Sequence, residues 1–502
     1  LGVSQSGASR APGDVGAESV VLAVDVGGSG LRAGLVDADG RLRANRTVPG
    51  PAGAGEIRDW WRELADATTG LSESAPDLFG AIAGICICGM TRTQVFVGAD
   101  GKAVRPAIGF GDTRAAEVLE RAEDTGDLAG LPEAANLNPY HPAARLLWLK
   151  QTEPAHYAAT AKLLEPKDWL AFKLTGAARS DAISCARLRA AAQPVGGRSL
   201  LDALGLDAGM LPEIVAPTAE VGRVRPGLPA PFDRLAGLPV FCGSHDTWAG
   251  VVGMGALVPG RAYNISGTSE VLGLITERAV AAPGLVTVDW GEGWQVGGPS
   301  QTGAATLRHV LRMLGREGED PAAAVAALET APRADEPPLF LPSLEGERVP
   351  YWDAGLRGAF LGLSAAHGPA DLLWAALEGI ALLNREVLRR AEAAAGRPAE
   401  VVRLAGGGSR SALWAGIKAD VLDRPVELCD QSEAGLVGAA AVAWTGLGRY
   451  PDLAAAQAAM VRVARRIEPD PARAAVYADR AGLWAEMQAA TASVGRRLAG
   501  KS

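Results

Sequence analysis

Residues 21–40 read VLAVDVGGSGLRAGLVDADG. An apolar run delivers one carboxylate, Asp25, into a glycine-rich loop, and the apolar pattern resumes through Leu31, Ala33 and Leu35 before a turn at DADG. The alternation predicts strand, loop, strand. In a dinucleotide-binding fold the glycines would open a helix whose N-terminus takes the pyrophosphate, and no helix start follows here. The loose fingerprint match Gly28-x-Gly30-x-x-Ala33 therefore lacks its structural context. The loop reads as a hairpin tip whose bare backbone N–H groups can cup phosphate oxygens, with Asp25 placed to hold a cation. Taken alone, the stretch is equally well read as an ordinary glycine turn beside a strand-end aspartate.

With 502 residues, 48% hydrophobic and 21% charged, the chain has the composition of a globular protein long enough for two large domains or more. Its formal net charge of -8 and the lack of a long basic run argue against nucleic acid and anionic membrane as partners. A polyphosphate bound to such a chain needs local neutralisation by backbone amides, a few Arg or Lys and a metal. Five scattered cysteines, at 86, 88, 185, 242 and 429, give neither a disulfide framework nor zinc spacing. Residues 1–19 are polar and lack the apolar centre of a signal peptide. A disordered lead, a short tail over 496–502 and a cytoplasmic location are the expectations.

Along the first half, DWWRELADAT predicts a helix and AIAGICICGM a strand that points Cys86 and Cys88 to one face. The segment TRTQVFV after Met90 alternates and is expected to return as that strand's partner, with a hairpin turning at GADG, 98–101. Asp112 and Arg114 stand where a loop enters a helix, a position an N-cap alone would explain. Two further helical segments follow, the second, KDWLAFKLTG, closed by a glycine stop. At 238–256 the strand LPVFCG runs into SHDTWAGVVGMGA, with Asp246 at the head of a Gly/Ala-rich helix. Such an aspartate serves as a helix cap or, beside a cleft, as a general base.

GRAYNISGTSEVLGLIT, 260–276, repeats the opening pattern: a strand enters a Gly-Thr-Ser tip and another leaves. One glycine-tipped hairpin near the start of each half suggests a duplicated domain, 20–256 and 257–495, holding a polyphosphate between its loops. A third cluster, Gly406 to Gly408, lies between a strand and a helix, where small residues let a base and its ribose approach the backbone. EAGLVGAAAVAWTGLG reads as a buried helix before a polar helical tail. The terminal GRRLAGKS satisfies the Walker A pattern only in letters, because no strand leads in and no helix leads out.

DVGGSGLRAG, KDWLAFKLTG, GSHDTWAG, SGTSE, FLPSLEGERVPYWD, GAFLGLSAAHGPADLLWAALEGI and LAGGGSRSALW occur in consistent order over roughly residues 20–490. In this combination the chain resembles the FGGY family of carbohydrate kinases, and within it the xylulokinase-type members. One family signature fits throughout from Gly358 to Glu378, while the other, around HPAARLLWLKQ, has Arg145 where the family usually has Lys.

The resemblance implies an α/β, actin-like ATPase fold of ribonuclease H type: two duplicated domains with mixed central sheets and an interdomain cleft. It implies a sugar bound mainly by the first domain, ATP bound mainly by the second, and Mg²⁺ as cofactor. Asp246 would be the general base and Asp25 would orient Mg²⁺. Gly27, Gly28, Ser29 and Arg32 would face the β/γ-phosphates from one side, and Gly267, Thr268 and Ser269 from the other. Gly407 and Gly408, with the helix start at Ser411, would hold the adenosine.

Departures fall at the sugar end. Xylulokinases carry a Gln-Met-His-Gly tetrad where this chain reads Met90-Thr91-Arg92-Thr93, and a Trp-Asn-Asp-x-Arg pattern survives as Phe110-Gly111-Asp112-Thr113-Arg114. His245 stands where a Gly usually precedes the base. Thr91, Arg92, Asp112 and Arg114, with Asp246, are thus the candidate acceptor residues. D-xylulose leads among ketopentoses, with L-xylulose, ribulose, erythritol and gluconate as alternatives. An actin-like ATPase switch and a nucleotide-linked dehydrogenase are the readings from other classes, and a homodimer is the expected assembly.

Overall fold

The computed structural model describes residues 18–50, 58–124, 128, 130–331, 333–334, 336–430 and 433–500. Most of the expected lead and the last two residues of the Walker-like octet lie outside this range. The chain divides into two compact units, Leu1–Gly253 with Glu433–Met460, and Met254–Ser432 with Val461–Ser502.

The first unit contains strands β1 (Val20–Gly27), β2 (Gly30–Asp37), β3 (Leu42–Pro49), β4 (Ile82–Gly89), β5 (Val95–Gly98), β6 (Thr160–Leu164), β7 (Arg179–Asp181), β8 (Glu213–Val215), β9 (Glu220–Arg223) and β10 (Pro239–Phe241). Its main sheet has the order β3-β2-β1-β4-β10-β9. β1 and β2 form a tight antiparallel hairpin from Val20↔Asp37 to Gly27↔Gly30, and β1 runs parallel to β4. After Gly28 the chain therefore continues as a strand, which removes the helix a dinucleotide site requires. Both faces of β1 are buried, as its unbroken apolar run demands. On one face Val20, Leu22, Val24 and Val26 share a core with Trp60, Leu64, Ala67 and Leu71 of the helix Trp60–Ser74. That helix starts where Asp59 accepts the Arg62 N–H. On the other face lies the helix Ala434–Gly446, whose Leu436 reaches Gly34 and whose Gly435 abuts Asp25.

This last helix alters the expected boundaries. The sequence suggests one continuous second domain over 257–495, but Glu433–Met460 belongs to the first unit. The reason is packing: the helix is small-residue and buried nearly all round, and it fills the face of β1 and β4 that Trp60–Ser74 leaves open.

The segment after Met90 also departs from expectation. β5 pairs with β6 in a separate two-stranded sheet and not with β4. β4 is already flanked by β1 and β10, both parallel, so no edge is free to accept a returning strand. The turn at 98–101 forms as expected, with Gly98 N–H bonded to the Lys102 carbonyl and Gly101 at φ 77°. β5 and β6 sit beside a second small core that includes Phe96, Ile108, Leu146 and Leu163.

The second unit contains β11 (Arg261–Ser266), β12 (Glu270–Thr276), β13 (Val286–Asp289), β14 (Trp294–Pro299), β15 (Leu339–Leu341), β16 (Ala359–Leu361), β17 (Val401–Ala405), β18 (Val426–Cys429) and β19 (Val463–Ile467). Its main sheet runs β13-β14-β12-β11-β17-β18-β19. β11 and β12 form the second glycine-tipped hairpin, and β11 lies parallel to β17 as β1 does to β4. The two units thus repeat one arrangement, antiparallel hairpin beside parallel strand. Helices Pro369–Ala395 and Ala412–Leu422 pack together and cover this sheet. The polar tail is not wholly helical: β19 adds antiparallel to β18 before the helix Pro471–Leu498. Its side chains are largely exposed, so neither apolar alternation nor an apolar face marks it in the sequence. Among the described residues no helix is long and apolar enough to cross a membrane.

Candidate active site

In the first unit, Asp25 lies near the end of β1, two residues before the Gly27–Gly30 tip begins. The carboxylate is buried; Oδ2 lies 3.3 Å from Arg32 Nη1, and Oδ1 is buried with no hydrogen-bond partner. Burial pushes its pKa up to about 6 against the pull of Arg32, and the charges of Asp246 and Glu433 add to the rise. Arg32 also reaches Glu433 at 3.4 Å, so the guanidinium lies between two carboxylates. A Cβ on Gly435 would sit 2.8 Å from Asp25 Oδ2, so the carboxylate rests on the first turn of the helix Ala434–Gly446.

The hairpin tip is open. A Cβ added at Gly28 would meet nothing within 4 Å, which leaves the backbone free to be approached. Arg58 supports the tip from behind, donating to the Gly27 carbonyl at 2.6 Å and pairing through two bonds with Glu63. The sequence shows Arg58 only as one cation in a polar connection.

Asp246 opens the helix Asp246–Gly253 and is half-buried; Thr247 N and Oγ1 both donate to its Oδ1, at 2.6 and 3.2 Å. Its loop is anchored by a buried ionic cluster. Asp181 Oδ1 accepts from Ser244 Oγ at 2.8 Å, and Lys167 Nζ bridges Asp181 and Asp168 at 2.9 and 2.6 Å. These three charged groups are fully buried, and each is paired. Burial lowers the pKa of His245, and its Nδ1 accepts the Trp248 N–H.

Two of the segments that carry acceptor candidates, Thr91–Arg92 and the loop reaching Asp112, are joined through one guanidinium. Arg145, fully buried, donates to the carbonyls of Arg92 at 2.6 Å, Gly109 at 2.7 Å and Asp112 at 3.2 Å, and to Gln94 Oε1. It thereby ties the Thr91–Arg92 segment to the Gly109–Asp112 loop. Asp112 receives the Arg114 N–H and pairs with the Arg114 guanidinium at 2.7 Å; the helix itself starts later, at Ala116, so Asp112 closes a turn and is not its N-cap. Arg114 stacks over Trp148 and Arg92 over Phe110, at 4.9 and 5.6 Å. Arg92 has a left-handed backbone, φ 58°. Thr91 Oγ1 and Arg92 N both donate to Glu165, a residue that no local motif marks.

In the second unit the tip Gly267–Ser269 is stitched to the start of the helix Ala304–Met313, whose Ala304 and Ala305 N–H groups bond the Gly267 and Thr268 carbonyls. Gly406, at φ 85°, and Gly408 press on Ser266 so closely that a Cβ at either would overlap it. The third glycine cluster and this second tip are thus one surface. Gly407 faces open space. Ser411 is the N-cap of Ala412–Leu422, accepting the Trp414 N–H, and Trp414 Nε1 donates to Ser266 Oγ. Behind them Lys418 is buried against Glu270, Asn264 and Asn384.

Two units, each presenting a glycine-tipped hairpin on a mixed sheet, and a strand-end carboxylate in the first, define an actin-like ATPase fold. Residues 20–253 and 262–447 match the N-terminal and C-terminal domains of the FGGY family of carbohydrate kinases, and the chain belongs to that family. It is similar to the xylulose kinase of Klebsiella pneumoniae, 28% identical over 413 residues that cover 80% of this chain and 84% of the relative. The Escherichia coli K12 xylulose kinase is 26% identical over 438 residues, covering 84% and 89%. The crystal structure of a xyloylose kinase from Brucella ovis superposes with a TM-score of 0.83 at 27% identity, covering 95% of this chain and all of that one. The protein is a carbohydrate kinase, and the family's chemistry is the use of ATP to phosphorylate a sugar.

Proposed function

We propose that the enzyme transfers the γ-phosphate of MgATP to a hydroxyl of a ketopentose, with D-xylulose the leading acceptor. The observation that carries the reading is Asp25, a buried carboxylate with one unpartnered oxygen beside an open glycine tip, in the same unit as Asp246 at the head of its helix. The named substrates of the relatives support the choice of sugar.

In this reading Asp246 takes the proton from the attacking hydroxyl. Its Oδ1 is held by Thr247, which leaves Oδ2 to receive that proton. Phosphoryl transfer needs little covalent help from the protein, so the remaining work is positioning and charge neutralisation. The N–H groups of Gly27, Gly28 and Ser29, and those of Gly267, Thr268 and Ser269, would meet phosphate oxygens, with Arg32 alongside. Gly407, Gly408 and Ser411 would line the adenosine. Thr91, Arg92, Asp112 and Arg114 would contact the sugar.

The buried, unpartnered Oδ1 of Asp25, with its acidic neighbours, fits a hard cation. Among the described residues no group of three or more His, Cys, Asp or Glu could hold a metal, so the ion would depend on phosphate and water for its other ligands. Bound there, Mg²⁺ would neutralise charge on the β- and γ-oxygens.

A sugar acid is the second reading. It is favoured by Arg92, an exposed residue whose guanidinium lies over the Phe110 ring, near that of Arg187, and forms no ion pair with a carboxylate among the described residues. ADP release from MgATP, measured against ketopentoses, pentitols, tetritols and aldonates with a no-sugar control, tests both. Stimulation by D-xylulose supports the first reading, stimulation by an aldonate alone supports the second, and sugar-independent release would favour an ATPase switch.

A further inference from the structure

Glu165 immediately precedes the helix Pro166–Thr175 and is more than nine-tenths buried. Its Oε1 accepts two hydrogen bonds at 2.8 Å, one from Thr91 Oγ1 and one from Arg92 N. Its Oε2 is buried and has no partner. Burying a carboxyl is costly unless it is hydrogen-bonded, and both bonds it accepts come from the Thr91–Arg92 segment.

What it serves is visible in the backbone. Arg92 adopts φ 58°, a conformation that non-glycine residues hold only when their surroundings over-determine it. Here the two peptide groups that flank the Arg92 Cα are each held. Glu165 takes the Arg92 N–H, and Arg145 donates to the Arg92 carbonyl at 2.6 Å. Arg145 is held by four further acceptors and keeps its place without Glu165, so substituting Glu165 releases one side of the grip and leaves the other.

We propose that Glu165 is a positioning residue of the acceptor site: it holds Arg92 in its left-handed conformation and so fixes where the Arg92 guanidinium meets the acceptor. The proposal rests on the reading of Thr91 and Arg92 as acceptor-binding. Without the carboxyl, Arg92 relaxes toward negative φ and its side chain leaves the Phe110 ring, while Asp246 and the glycine tips keep their places.

The test uses the full chain as wild type, Glu165→Ala, Glu165→Gln and Thr91→Val. Hydrogen exchange of a peptide spanning residues 90–94 reads the grip directly, whatever the acceptor is. In Glu165→Ala its protection should fall about tenfold while β17 is unchanged, and Glu165→Gln should keep it, because the amide oxygen replaces Oε1. Steady-state kinetics on the accepted sugar should show acceptor KM raised about tenfold in Glu165→Ala, with ATP KM within about twofold and Glu165→Gln near wild type. Thr91→Val, which removes one of the two donors and keeps the volume, should show a smaller loss of the same kind. Unchanged exchange at 90–94 in Glu165→Ala, or a loss spread evenly over the first unit, would overturn the proposal. If Glu165→Ala does not fold, Thr91→Val with normal exchange and normal acceptor KM would overturn it instead. A wild-type enzyme that phosphorylates no sugar would refute the acceptor reading, and the exchange result would still decide whether Glu165 holds Arg92.

Discussion

Gly438 packs so closely on Ala249 that a methyl group at Gly438 would overlap the Ala249 carbonyl oxygen. The reciprocal contact is as tight, with Gly253 against the Ala434 carbonyl. The helix headed by Asp246 and the helix Ala434–Gly446 therefore touch backbone to backbone. Gly438→Ala must part them, and overpacking of this kind costs about 1–3 kcal/mol. A Tm lowered by several degrees in differential scanning fluorimetry is the expected result. Gly416→Ala is the control: it lies in the helix Ala412–Leu422 with nothing within 4 Å of a new Cβ, so its Tm should hold or rise.

Asp246→Asn keeps the shape at the head of the helix and removes the proton acceptor. Loss of a general base costs about 10²–10⁴ in rate, so kcat should fall by that factor while the Kd for ATP, measured by calorimetry, stays within about twofold. Equal losses in both would remove Asp246 from the role of base.

Arg145→Lys replaces a planar guanidinium that spans carbonyls on two loops with a single ammonium. Lysine cannot bridge the same set, and each abandoned carbonyl costs about 1 kcal/mol or more. The expected outcome is a raised KM for the sugar together with a lower Tm. Arg145→Met, which leaves every one of those carbonyls without its donor, should be worse on both.

Glu165 also predicts a pH dependence. Burial, and secondarily the charge of Asp168, raise its pKa from the ordinary 4.5 to about 8, against the hydrogen bonds from Thr91 and Arg92 and the pull of Lys167. The folded state thus binds this proton more tightly than the unfolded state. The stability it contributes is complete below about pH 4.5 and is lost as pH rises through about 8. Asp25, raised to about 6, shifts stability in the same direction. Comparing wild type with Glu165→Gln isolates the Glu165 share: between pH 5 and pH 9 the wild-type Tm should fall more steeply than that of the variant. Parallel curves would contradict the buried acid.

What the sequence discloses and what it hides follow one physical division. The hairpins at Gly27–Gly30 and Gly267–Ser269, the glycine cluster at 406–408 and the helix headed by Asp246 are local patterns, each contained in some twenty residues, and the structure forms them all. Contacts between distant residues carry no such mark. Arg58 reaches Gly27 across 31 positions, Arg145 reaches Arg92 across 53, and Glu165 reaches Thr91 across 74. Glu165 reads in isolation as a loop residue before a proline-started helix, which is its local role and says nothing of its partner. β5 went astray for the same reason: alternation identifies a strand without naming its neighbour.

The return of Glu433–Met460 to the first unit bears on how the protein is made. On a ribosome, everything up to Gly253 emerges while one face of β1 and β4 still lacks its cover, and the whole of Met254–Ser432 must follow before that cover arrives. The nascent first unit spends that interval with an apolar sheet face bare, a period in which chaperone capture or self-association competes with folding. A chain cut at Gly253 would be left permanently at that stage.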